Sequence, residues 1–202
     1  MLTRGDIIAK SIGASGIIIA ILGMLISAAL CGPGCGSGNG WAPNGSFNWH
    51  TNTLSDLGLS RVSLLFNSTL FLGAALVAIF IALFAIKNAG KAHMASGGII
   101  ASFGAASTSL IGIFTEHYQT LHLLFSAMYL ILTPIGILVI GYSLFRSKMV
   151  MFGKASMLLG ITSLLFALFF IGVFAAGEAS ATLESLPPAW ITLWITFAII
   201  KY

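Results

Sequence analysis

The sequence predicts an all-α protein, a polytopic transmembrane helical bundle of about six helices. Hydrophobic residues make up 58% of its 202 residues and charged residues only 7%, whereas about a quarter of a soluble domain is charged. The apolar residues also fall in runs close to the ~20 residues that a helix needs to cross the hydrocarbon core of a bilayer. Because that core offers no water to backbone polar groups, such runs must be helices and not open strands.

The apolar runs place the six helices along a single transmembrane domain, residues 1–202. The first run is longer than the apolar region of a signal peptide, about 7 to 15 residues, so we expect it to be a retained helix. The last run is short and crosses a membrane only if its helix begins near residue 182. The expected helices cover residues 7–30, 62–86, 94–114, 123–145, 155–176 and 182–200, and the outer loop covers residues 31–61.

The charges at the helix ends predict the orientation. Of the nine Lys and Arg residues, only Arg61 falls on the side that also carries Asp56, Glu116, Glu178 and Glu184. Cytoplasmic loops are rich in Lys and Arg, so both the N and C termini are expected to be cytoplasmic in a multi-pass protein of the cell membrane. The basic residues form no patch with interleaved aromatic residues, which argues against nucleic acid as a partner. The expected partners are the lipid bilayer and other membrane proteins.

Two cysteines lie at the start of the outer loop. Cys31 and Cys35 flank Gly-Pro-Gly on the side expected to be oxidising, where a disulfide closing a tight turn is chemically allowed. Free thiols, or a metal site that includes His50, are the alternatives. The spacing matches no zinc-binding pattern.

Polar and ionisable residues lie beside the outer helix ends, and together they form a candidate outer-face site. We expect His122 one turn inside the fourth helix, facing the bundle together with Ser126, with Glu116 and His117 over its entrance. Ionisable groups in membrane segments are costly and often functional. The alternative is that Asp56 and Glu116 only cap the helices that follow them. The candidate residues are Ser55, Asp56, Asn67, Glu116, His117, His122 and Glu178.

No motif assigns a catalytic residue, and no cofactor is predicted. The chain lacks a nucleophile elbow, a His-Glu-x-x-His helix and a phosphate-binding glycine loop. A divalent metal held by Asp56, Glu116 and His122 is the alternative. The leading interpretation is a non-catalytic membrane component or an accessory subunit of a larger membrane complex. Its rivals are a metal-dependent intramembrane hydrolase acting on lipid at the outer face and a small proton-coupled transporter.

Four short segments resemble one family of membrane proteins. They are Asn52-Thr-Leu-Ser-Asp-Leu-Gly58, Phe66-Asn67, Gly112-Ile-Phe-Thr-Glu116 and His122. In this order they resemble the domain of unknown function 998 family of six-helix integral membrane proteins. Thr115 stands where that family has Pro, and the Cys-Gly-Pro-Gly-Cys segment is unusual for it.

The resemblance implies a six-helix architecture, because the role of the family is, by its name, not established. By analogy it also implies one outward-facing site. The residues that match the family at this site are Ser55, Asp56, Asn67, Glu116 and His122.

Overall fold

The computed structural model describes residues 3–35, 45–90 and 93–201. Within these ranges the fold is all-α, and six helices are long and apolar enough to cross a membrane, which confirms the predicted fold class. The helices are α1 (Arg4–Leu30), α2 (Ser63–Lys87), α3 (Met94–Ile113), α4 (Gln119–Phe145), α5 (Val150–Ala175) and α6 (Ala181–Lys201). Two short 3-10 helices, Ser55–Leu59 and Glu116–Tyr118, precede α2 and α4.

Several helices extend beyond the apolar runs that predict them. α1 begins before its apolar run because Thr3 and Asp6 form a capping box, in which each side chain accepts a hydrogen bond from the other residue's backbone N–H. α6 begins at Ala181 and continues through Pro187 and Pro188. At about 1.5 Å per residue its 21 residues are long enough to span the hydrocarbon core.

Helices that are consecutive in the chain pack side by side from α1 to α6, and α6 closes the ring with a smaller contact to α1. The salt bridge between Lys87 Nζ and Asp6 Oδ1, at 2.6 Å, joins the end of α2 to the start of α1. We call this end of the bundle the basic end. Lys91 lies outside the described residues, and the other basic residues that belong to this end are Arg4, Lys10, Lys87, Arg146, Lys148, Lys154 and Lys201.

The opposite end of the bundle carries Asp56, Glu116 and Glu184, and we call it the acidic end. The first and last described residues, Thr3 and Lys201, both lie at the basic end, because the described chain crosses the bundle six times. The assignment of that end to the cytoplasm stays a prediction.

Small residues bring the backbones of α3 and α4 into close contact. A Cβ on Gly136 would lie 2.3 Å from the Ala101 nitrogen, and one on Gly97 would lie 2.8 Å from the Ile140 nitrogen. Neither position tolerates a side chain without movement of the neighbouring backbone. α3 packs in this way between α2 and α4, as expected from small residues spaced four apart on one helix face.

Large side chains fill the half of the bundle nearer the basic end. Phe80, Phe84 and Met94 are almost completely buried there, and so is Trp194. The Trp194 Nε1–H donates to Ser156 Oγ at 2.9 Å, so the indole leaves no unpaired donor in the core. The basic half of the bundle is therefore solid, whereas the other half is not.

Candidate functional site

The helices enclose a large open cavity in the half of the bundle nearer the acidic end. Its volume is about 1550 Å³, compared with roughly 300–1,000 Å³ for most small-molecule pockets. All six helices contribute to its mostly apolar wall. Ala105, Ile191 and Ile195 line the cavity and also belong to the solid core, so the core closes the cavity toward the basic end.

Residues 45–62 lie across the acidic end and form what we call the cap. The Cys31–Cys35 disulfide, with an S–S distance of 2.14 Å, lies beside it, and both cysteines are buried. The Phe47 N–H donates to the Cys31 carbonyl and the Arg61 N–H donates to the Cys35 carbonyl, each at 3.0 Å. The disulfide-closed turn therefore holds both ends of the cap against the end of α1.

The middle of the cap is bound to the start of α6. The Ala181 N–H donates to the Asn52 carbonyl at 2.5 Å. The Leu54 N–H donates to Glu184 Oε2 at 2.6 Å, and the Ser55 hydroxyl donates to Glu184 Oε1 at 3.0 Å. Both oxygens of Glu184 thus accept hydrogen bonds from the cap.

Glu184 also lines the cavity, although it is missing from the candidate set drawn from the sequence. One sequence signal could have identified it. It is an acid in the first turn of a helix whose apolar run is too short to span a membrane by itself, so that turn has to lie at the membrane boundary.

Asp56 stabilises the cap internally. Its Oδ2 accepts from Asn52 Nδ2 at 3.1 Å and from the Thr53 N–H at 2.8 Å. Both donors belong to the segment just before the 3-10 helix Ser55–Leu59. Asp56 is therefore engaged with the turn of the chain that precedes it.

The alternative that Asp56 caps α2 and Glu116 caps α4 is wrong. The residues at the N-cap positions are Val62 and Tyr118, and neither helix has a side-chain cap hydrogen bond. A 3-10 helix separates each acid from the long helix that follows it. The two carboxylates therefore point to other partners.

Of the three acids that line the cavity, Glu116 has the weakest constraints. Its Oε1 accepts from the Thr53 hydroxyl at 3.5 Å, and the Ser55 hydroxyl lies nearby. The charges of Asp56 and Glu184 are close enough to repel it. Thr53 therefore bridges two acids, through its N–H to Asp56 and its hydroxyl to Glu116.

His122 lies in the first turns of α4 and is only 6% exposed. Its Nδ1 is 2.9 Å from the Phe114 carbonyl oxygen. A carbonyl oxygen can only accept a hydrogen bond, so Nδ1 carries the proton and, in the neutral ring, Nε2 carries a lone pair. His122 and Ser126 both line the cavity.

The remaining candidates divide into those inside and those outside the cavity. Asn67 is inside, and its Nδ2 donates to the Gly58 carbonyl at 3.1 Å, which joins α2 to the cap. His117 and Glu178 are exposed and do not line the cavity. The predicted residues that the structure brings to the cavity are Ser55, Asp56, Asn67, Glu116 and His122.

The geometry gives little support to a metal centre. Within residues 3–35, 45–90 and 93–201, no group of three or more His, Cys, Asp or Glu side chains is placed to hold a metal ion. Asp56, Glu116 and His122 share the cavity, but one oxygen of Asp56 and Nδ1 of His122 already have backbone partners. The sulfur atoms of Cys31 and Cys35 are bonded to each other, so they are not available as thiolate ligands beside His50.

Comparison with known proteins identifies the family but no characterised relative. No curated protein and no solved structure matches the chain. The family model described as "Protein of unknown function (DUF998)" matches residues 16–200, which run from within α1 into α6 and include every residue of the candidate site. The chain therefore belongs to this family of unknown function, and its structure is that of a multi-pass membrane helical bundle.

Proposed function

We propose that the protein is a non-catalytic membrane component that binds an amphipathic, lipid-like molecule. The apolar part of the ligand would lie in the cavity between the helices, and its polar end would lie beneath the cap. The observation that carries this proposal is the cavity itself, which is about 1550 Å³ in volume, apolar along its walls and polar at one end.

The distribution of polar groups supports an amphipathic ligand and not a uniformly apolar one. Thr53, Ser55, Glu116 and His122 line the cavity near the acidic end, whereas the wall farther from that end is formed by side chains such as Val77. In a bilayer the surrounding lipid is as apolar as this wall, so transfer of an alkyl chain from the bilayer into the cavity contributes little binding free energy. Selectivity must therefore come from the polar end of the ligand and from the shape of the cavity.

The arrangement of α1 and α6 supports entry from the bilayer. Near the basic end the two helices are in contact, since a Cβ on Gly13 would lie 3.1 Å from Ile199 Cδ1. Nearer the acidic end, Ile21 and Leu25 of α1 line the cavity while 37% and 46% exposed, and Ala189 of α6 lines it while exposed. A lipid-like molecule would reach the cavity between these two helices without passing through water.

The rival functions have weaker support. A metal-dependent hydrolase needs a cluster of ligands, and the described residues hold none. A transporter needs a route to the basic end, and the buried core around Trp194 closes that route in this conformation. An accessory-subunit role stays a prediction, because the outward apolar faces of the helices suit lipid and partner helices equally.

Lipid retention by two neighbouring tryptophan variants tests the proposal. Leu123 and Leu124 are 48% and 50% exposed on α4, but only Leu123 lines the cavity. The full chain, Leu123→Trp and Leu124→Trp would be purified in parallel, and the lipids extracted from each would be quantified by mass spectrometry.

We expect the unmodified chain and Leu124→Trp to retain about one enriched amphiphile per chain, as for a single pocket. Leu123→Trp should retain clearly less, because the indole occupies part of the cavity. The same lipid profile and the same amount in all three proteins would overturn the proposal.

A further inference from the structure

We propose that the polar end of the ligand is a protonated primary amine, bound by Glu116 and His122. This inference rests on the proposed binding function and adds the chemical class of the head group. The ammonium could belong to a simple long-chain amine or to an ethanolamine head group, because both present the same N–H donors.

One ring nitrogen of His122, Nε2, has no hydrogen-bond partner among the described residues. The ring is 94% buried, since its exposure is 6%, and it lines the cavity. Its Nδ1–H is used by the Phe114 carbonyl. Nε2 is not among the fully buried unpartnered atoms of the described residues, so it is accessible from the cavity. The partner for this nitrogen must be a donor, because Nε2 of this tautomer can only accept.

Glu116 has spare capacity to accept hydrogen bonds. Asp56 and Glu184 each accept a backbone N–H at 2.8 Å or less, which fixes them to the cap. Glu116 instead faces hydroxyls, with the Thr53 oxygen 3.5 Å away. A carboxylate offers about four acceptor positions. Glu116 therefore keeps the greatest capacity to accept hydrogen bonds from a ligand.

The ionisable side chains of the cavity also favour a cationic head group. Asp56, Glu116 and Glu184 line the cavity, and no Lys or Arg among the described residues does. The mutual repulsion of these acids is relieved by a cation, whereas an anionic head group would increase it. An ammonium also carries three donors, enough for both Glu116 and His122.

The position of the two residues suits one small head group. Glu116 belongs to the 3-10 helix Glu116–Tyr118, and His122 belongs to α4, which begins directly after it. The carbonyl that orients His122 is that of Phe114, two residues before Glu116. A single short segment therefore carries both acceptors at the polar end of the cavity.

The test compares three probes that share one alkyl chain. Dodecylamine, dodecyltrimethylammonium and dodecanol would be titrated onto the full chain in nanodiscs made of phosphatidylcholine, which offers no N–H donor of its own. We expect dodecylamine to bind about tenfold more tightly than dodecanol, which is the effect of one hydrogen bond to a charged group. Dodecyltrimethylammonium has the charge but no N–H, and it should bind with intermediate affinity.

Variants assign the two contacts. Glu116→Gln should abolish the preference for dodecylamine over dodecanol, and His122→Gln should reduce the preference for dodecylamine over dodecyltrimethylammonium. Glu178→Gln is the matched control, because Glu178 is exposed at the same end and does not line the cavity. Circular dichroism of each variant identifies any that fails to fold, and the probe series on the unmodified chain does not depend on the variants.

Two contrary results have different meanings. Equal binding of the three probes to the unmodified chain would overturn the amine inference and leave the proposed cavity function intact. No saturable binding of any probe would overturn both. A preference for dodecylamine that survives both Glu116→Gln and His122→Gln would overturn the assignment to these residues. To separate the two sources, the affinity of dodecylamine would be compared with that of lysophosphatidylethanolamine, and the tighter binder identifies the source.

Discussion

Removal of the Glu184 carboxylate should release the cap from α6. The Leu54 N–H and the Ser55 hydroxyl donate to Glu184, the Ala181 N–H donates to the Asn52 carbonyl, and the Thr182 N–H and hydroxyl donate to the Trp49 carbonyl. Glu184→Ala removes the first two of these five bonds and leaves the other three. The cap should therefore open locally more often, while the six helices stay folded.

The magnitude follows from the two lost bonds. Each hydrogen bond to a charged group contributes about 1.5–3 kcal/mol, so the pair contributes about 3–6 kcal/mol when Glu184 is ionised. Part of this is offset, because the substitution also removes the cost of keeping a half-buried carboxylate away from water. We expect a net loss of about 2 kcal/mol in the free energy of cap opening, or roughly a 30-fold increase in its opening constant.

Hydrogen exchange at the Leu54 amide measures this quantity directly. That amide is bonded to Glu184 Oε2 and should exchange about 30 times faster in Glu184→Ala. Glu178→Ala is the matched control, since Glu178 is exposed and its side chain has no hydrogen bond in the described structure. A double-mutant cycle with Ser55→Ala adds a second test, because two bonded residues should show a coupling energy above about 0.5 kcal/mol.

Two outcomes would contradict this role of Glu184. Unchanged exchange at Leu54 in Glu184→Ala would mean that the carboxylate does not hold the cap. Additive effects of Ser55→Ala and Glu184→Ala would mean that these side chains do not interact, in spite of the 3.0 Å distance.

Three further predictions concern stability, measured by unfolding in mixed detergent micelles. Gly136→Ala should destabilise the bundle by about 1–3 kcal/mol because its Cβ would clash with the α3 backbone. Gly172→Ala should cost nothing because no neighbouring atom lies within 4 Å of the added Cβ. Equal losses of stability in the two variants would contradict the packing of α3 against α4. Ser109→Ala should lower the stability by about 0.6 kcal/mol because it removes a hydrogen bond to an α2 carbonyl. Ser27→Ala should leave the stability unchanged because the structure gives that buried hydroxyl no partner. A larger loss for Ser27→Ala than for Ser109→Ala would contradict the assigned hydrogen bond. Cys31→Ser should lower the stability of the cap by about 2 kcal/mol and leave the helix content unchanged, because the disulfide no longer closes a five-residue loop in the unfolded chain. Unaltered hydrogen exchange across the cap would show that the disulfide does not stabilise it.

The helices could be predicted from the sequence because the bilayer restricts which backbone structures can cross it. Long apolar runs must satisfy their backbone internally, and this gives the class and the number of helices. The ends could not be predicted from the same rule. α5 begins at Val150 and includes Lys154, and α1 begins at Arg4, because backbone hydrogen bonding continues past the hydrocarbon boundary until a turn or a cap ends it.

The candidate site could be predicted only in part. Polarity near the helix ends identified Glu116 and His122, which the structure places at one cavity. It also selected His117, next to Glu116, and Glu178, between α5 and α6, which are exposed and do not line the cavity. Proximity in sequence does not fix side-chain direction in a 3-10 helix or a turn. The role of Glu184 depends on a bond to a residue 130 positions away, which no local pattern reveals.

A crystal structure of the full chain grown from a lipidic mesophase would show whether the cavity holds an amphipathic molecule. We expect one elongated density inside the ring of helices, with its polar end within hydrogen-bond distance of Glu116 and His122 and its tail directed toward Ile195. A cavity filled by its own side chains, with α1 and α6 in contact along their whole length, would contradict the proposed binding function.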